Sequence, residues 1–101
     1  MNVMEITPEN FEAEVLNSEK TVIADFYADW CGPCRMMRPA LDQIAAERDD
    51  VKVVAINVDD EDELAANYGI SSIPCVIAFK NGKESDRSVG LVPRDAIERM
   101  I

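Results

Sequence analysis

Residues 24–37 read "ADFYADWCGPCRMM". The first half is apolar and aromatic around Asp25, with a second aspartate, Asp29, near its end. The second half holds Cys31 and Cys34, separated only by Gly32 and Pro33. With Thr21, Val22 and Ile23 in front, residues 21–28 form a short β-branched and aromatic run, which reads as a central strand. From Cys34 a helical pattern runs to about Arg48, with Met37, Leu41, Ile44 and Ala45 on one face. Pro39 lies inside it, removes one backbone donor and should bend it. The cysteine pair therefore falls where a strand gives way to a helix.

The same alternation continues outward. Thr7 and Pro8 predict the start of a first helix, with Thr as N-cap and Pro in the first helical position. Phe11 and Val15, four apart, are its apolar stripe. Residues 51–58, "VKVVAINV", read as a second strand. Asp59 or Asp60 is a candidate cap for a helix carrying Leu64, Ala65 and Tyr68, ended by Gly69 in the left-handed conformation. Residues 75–79, "CVIAF", are a third strand. Asn81-Gly82 is a strong hairpin signal, so residues 84–89 should return antiparallel. Pro93 opens a last helix with Ala96, Ile97, Met100 and Ile101 on its inner side. Strands alternating with helices and closed by a hairpin predict a three-layer α/β domain with a mixed sheet. With 101 residues and no repeat or linker, the chain reads as one domain over 1–101.

Charge and cysteine content restrict the chemistry. Twenty acidic and ten basic residues leave a net charge of −10, which disfavours nucleic acid and anionic membranes as partners. No apolar run is long enough to span a bilayer, and "MNVMEITPEN" lacks the basic start and apolar core of a signal peptide. The expectation is a cytoplasmic protein. There are three cysteines and no histidine, so a Cys–His nucleophile pair is excluded and a structural zinc site is short of ligands. In a reducing compartment a CxxC pair reads as reactive before it reads as structural.

Cys31 is expected at the helix tip and Cys34 one turn in, on the same side. A helix N-terminus presents unpaired amides and partial positive charge. A free thiol has a pKa of about 8.5, and such a position lowers it. Cys31 is thus the candidate exposed nucleophile. Cys34, beneath it, can attack the same sulfur and displace a bound partner, as thiol exchange requires. Gly32 lets a substrate backbone approach and Pro33 stiffens the turn. By strand alternation Ile23, Asp25 and Tyr27 share one face. A carboxylate among such neighbours is desolvated, its pKa rises, and it can then exchange a proton with Cys34.

"DFYADWCGPC" followed by "RMMRP" resembles the thioredoxin family. So do "YGISSIP" at residues 68–74, "FKNG" at 79–82 and Val89-Gly90. The resemblance covers essentially the whole chain. It implies a thioredoxin fold, a three-layer α/β/α arrangement whose mixed sheet of four to five strands is flanked by four helices. It places the strand at residue 75 antiparallel to the one at residue 21, where alternation alone suggests parallel. It implies a general protein-disulfide reductase, with Cys31, Cys34 and Asp25 catalytic and Pro74 a cis-proline beside them. Trp30, Gly32, Pro33, Ile73, Pro74 and Gly90 would form the substrate-docking surface. The implied partners are a thioredoxin reductase and disulfide-containing proteins. The implied state is a monomer with no metal or other cofactor beyond the Cys31–Cys34 disulfide.

Four positions depart from the family pattern. Cys75 stands where Thr is common. Ala55 stands where many bacterial members carry a Lys near the buried carboxylate. Tyr27 replaces a common Trp, and the last helix is short. Cys75 reads either as a small buried residue or as a third redox thiol. Other functions on this scaffold are an oxidase or isomerase, against which Gly32-Pro33 argues, and a binding subunit, which would need neither the CGPC nor Asp25.

Overall fold

The computed structural model describes residues 3–101. Among these, five strands make one sheet: β1 (Met4–Glu5), β2 (Thr21–Tyr27), β3 (Val51–Asn57), β4 (Cys75–Lys80) and β5 (Lys83–Val89). Three α-helices, α1 (Gly32–Glu47), α2 (Asp62–Asn67) and α3 (Arg94–Glu98), join a π-helical segment, Glu12–Leu16. The spatial order of strands is β1-β3-β2-β4-β5. β1, β3 and β2 run parallel, while β4 is antiparallel to both β2 and β5. The sheet is therefore mixed, and β2 and β4 pair antiparallel, with Phe26 opposite Cys75.

Strand alternation sorts the core into two faces. On one side Val22, Ala24, Phe26, Val54, Ile56, Ile77 and Phe79 pack with Val15 of the π-helical segment and Ala65 of α2. On the other, Ile23, Val53, Val76 and Ala78 pack beneath Met37, Leu41 and Ile44 of α1 and Ile97 of α3. Met37, Leu41 and Ile44 recur three or four residues apart, so one stripe of α1 is buried. Each such side chain contributes roughly 1.5–3 kcal/mol through burial. This packing clamps α1 across β2 and fixes where the helix begins.

The hairpin forms as expected. Asn81 and Gly82 both have positive φ, 54° and 79°, the conformation a tight primed turn needs. Gly69 ends α2 at φ 66°. Two helix starts differ from expectation. Near Thr7, the Thr7 amide donates to Asn10 Oδ1 at 2.8 Å, and Asn17 N donates to Glu12 O at 2.9 Å. The Asn10 side chain thus closes a turn first, and the helical segment that follows takes the wider i→i+5 spacing. Before α2, neither Asp59 nor Asp60 caps. Their own amides donate to Asn57 Oδ1, at 2.9 and 3.3 Å, and the helix waits until Asp62.

Candidate active site

The first turn of α1 is built around the cysteines. Cys31 is the N-cap residue, in extended backbone conformation, and its Sγ accepts from Cys34 N at 3.2 Å. Pro33 falls in the first turn, where its missing N–H costs nothing. Cys31 and Cys34 are joined as a disulfide, with Cα atoms 5.3 Å apart. They pack with Ala28 against Tyr27, Val58 and Ile73.

The expected exposure of Cys31 is not seen in this oxidised state. Cys31 is 4% exposed and Cys34 3%, so accessibility barely separates them. Both sulfurs are bonded to each other and packed in one cluster with Ala28, covered by Tyr27, Val58 and Ile73. What does separate the two is position. Cys31 lies outside the helix as its cap, whereas Cys34 lies within it and lines a cleft of about 350 Å³ with Tyr27, Ala28, Asp29, Arg35 and Arg38.

The other candidate residues converge on the same end of the sheet. The Ile73–Pro74 peptide is cis, and Pro74 O accepts from Gly90 N at 2.8 Å. That bond ties the loop before β4 to the loop after β5. Gly90 has φ 94°, a conformation a side chain would oppose. Pro74 is buried, Ile73 and Gly32 are half-buried, and Pro33 is exposed. Trp30 is 69% exposed, and its indole N–H donates to Asp59 Oδ2 at 2.8 Å. An exposed tryptophan held in one orientation is a ready contact surface.

Asp25 lies on the α1 side of β2, as alternation predicts, and is fully buried. Burial pushes its carboxyl up to about 6, against an opposing pull from the Arg38 guanidinium. Arg38 Nη2 approaches Asp25 Oδ2 at 3.5 Å, while Oδ1 makes no hydrogen bond to protein. Arg38 also lies 4.8 Å from the centroid of the Tyr27 ring. The Tyr27 hydroxyl donates to Glu5 Oε2 at 2.7 Å. Sequence reasoning missed Arg38, although the i, i+4 spacing from Cys34 was visible. It missed Asp59 as well, which lies 29 residues from Trp30 and has no local signal.

The family model for thioredoxin matches residues 2–101. The chain belongs to the thioredoxin family. It is 46% identical over 99 residues to a thioredoxin of Porphyra purpurea, covering 97% of this chain and 92% of that one. It is 43% identical over 93 residues to a thioredoxin of Rickettsia bellii, covering 91% and 89%. Among solved structures, a mutant thioredoxin from Halobacterium salinarum superposes with a TM-score of 0.91 at 34% identity, over 99% of this chain and 88% of that one. The fold is the thioredoxin fold, and the chemistry of the cysteine pair is dithiol–disulfide exchange, that of a thiol–disulfide oxidoreductase. No helix among the described residues is long and apolar enough to cross a membrane. No group of three or more potential ligands among them could hold a metal ion.

Proposed function

We propose that this thioredoxin-family chain, acting as one domain over residues 1–101, is a general reductant of protein disulfides in the cytoplasm. There it carries electrons from a thioredoxin reductase and maintains redox homeostasis. It works as a monomer, without metal or other cofactor, and away from nucleic acids and membranes. The net charge of −10 supports the last point. The observation that carries the reading is the disulfide between the N-cap of α1 and its first turn.

In the reduced protein Cys31 Sγ is released from that bond and stays at the positive end of α1. As a thiolate it attacks one sulfur of a substrate disulfide, and the other substrate sulfur leaves as a thiolate. Cys34 then gives its proton to the Asp25 carboxylate and attacks Cys31 Sγ. The Cys31–substrate bond breaks, the Cys31–Cys34 bond forms, and the second substrate sulfur leaves and is protonated. Two electrons have passed to the substrate. Trp30, Gly32, Pro33, Ile73, Pro74 and Gly90 supply the docking surface. The backbone beside the cis-proline is available to pair with an extended substrate segment.

An insulin-reduction assay with dithiothreitol tests this reading. Cys31→Ser should abolish activity, and Cys34→Ser should accumulate a mixed disulfide visible by mass. Activity surviving in Cys31→Ser contradicts the assignment.

A further inference from the structure

The geometry points to Arg38 as a positioning residue for the exchange reaction. Its guanidinium, lodged between the Tyr27 ring and the buried Asp25 carboxylate in the cleft that Cys34 lines, governs how readily Cys34 releases the mixed disulfide. This rests on the reading of Asp25 as the proton acceptor for Cys34.

Arg38 is four residues after Cys34 on α1, so both side chains project on the same face, one turn apart. Both line the cleft. Arg38 is 26% exposed, enough to be screened in part, whereas the Asp25 side chain it meets is 1% exposed. Tyr27 holds the guanidinium from the outer side. Its ring faces Arg38 at 4.8 Å, and its hydroxyl is anchored on Glu5. Arg35, the other guanidinium at the cleft, is engaged elsewhere, donating to Asp29 O at 2.6 Å.

The charges around Asp25 come from few elements. β1 contributes Glu5, which opposes ionisation, and α1 contributes Arg38, which favours it. β4 contributes the buried thiol of Cys75, and places Val76 opposite Asp25. β3 places Ala55 opposite Asp25 and adds no charge there. Tyr27 on β2 is a neutral phenol, its pKa pushed up to about 12 by burial. Among the described residues Arg38 is thus the one cation within ion-pair reach of Asp25. Its single long contact, on Oδ2 alone, leaves Oδ1 to take the proton. A shorter, two-pronged pair would hold Asp25 ionised so firmly that it would be a poor base. The long contact bears on the second step only: Cys34 transfers its proton to Asp25 Oδ1, its thiolate attacks Cys31 Sγ, and the substrate thiolate departs.

The test follows Asp25 and the release step separately. Asp25 is followed by carbon-13 carboxyl titration of the reduced protein, and release by single-turnover decay of a preformed Cys31 mixed disulfide across pH 5–9. Arg38→Ala should raise the Asp25 midpoint by about one pH unit. It should shift the release profile by the same amount, slowing release about fivefold near pH 6 and hardly at pH 8. Arg38→Lys should restore most of both. In an Asp25→Asn background Arg38→Ala should change release no further. A midpoint unmoved by Arg38→Ala, or a loss that Asp25→Asn does not absorb, overturns the role of Arg38. If Asp25→Asn alone leaves release unchanged at every pH, the proton-acceptor reading fails, and the role of Arg38 fails with it.

Discussion

Asp25 couples protonation to stability. Its carboxyl titrates near 3.8 when the chain is unfolded and at about 6 when burial desolvates it in the fold. Between those values the folded state binds more protons than the unfolded state, so stability falls as pH rises. The contribution is complete below about pH 4 and lost above pH 6, and its full size is about 3 kcal/mol. Asp25→Asn should therefore stabilise the oxidised protein by up to about 3 kcal/mol at pH 8 and not at pH 4, read by guanidinium unfolding at both pH values. Equal gains at the two would contradict the coupling. Cys75 behaves oppositely to a reactive thiol: it is 1% exposed, and burial raises its pKa. Cys75→Thr should leave the insulin-reduction rate nearly unchanged, and a large loss would make it a third redox thiol. The burial of Asp25 was legible from alternation along β2. The partner that tempers it was not, because Arg38 reaches Asp25 only after α1 has packed across the sheet, 13 residues away in the chain.

Elements whose signals are local were read well. β2, β3 and β4 are dense apolar runs, α1 is a long stripe, and Asn81-Gly82 has a turn geometry few other pairs adopt. Register and direction are non-local, and the antiparallel pairing of β2 with β4 came from family resemblance rather than from alternation. The helix starts near residues 10 and 60 were misplaced because Asn10 and Asn57 take over the turns with their side chains. The hairpin also carries a long-range restraint. A Cβ on Gly82 would come 2.5 Å from Leu16 O, at φ 79°. Gly82→Ala should therefore cost more than the roughly 1–2 kcal/mol that a left-handed backbone alone imposes. Urea unfolding should show a lowered midpoint with an unchanged slope. Wild-type stability in that variant would mean the contact does not constrain the turn.

Over the whole molecule, two apolar layers on either face of one sheet position the end that carries the cysteine pair. The molecule is strongly acidic, at a net charge of −10. Ion pairs such as Arg94–Glu47 and Arg48–Asp50 are solvent-exposed and individually weak. Self-repulsion should outweigh them, so the melting temperature at pH 7 should rise as sodium chloride increases from about 10 to 150 mM, the range over which screening becomes short-ranged. A fall would mean the ion pairs dominate. The fold and the cysteine chemistry converge on one point, the sulfur that caps α1. Limiting iodoacetamide applied at pH 7 to the fully reduced protein, followed by peptide mapping, tests it most directly. Modification should appear at Cys31 first, well ahead of Cys34 and Cys75. Prior or equal modification of either of those thiols would contradict the assignment of Cys31 as the attacking group.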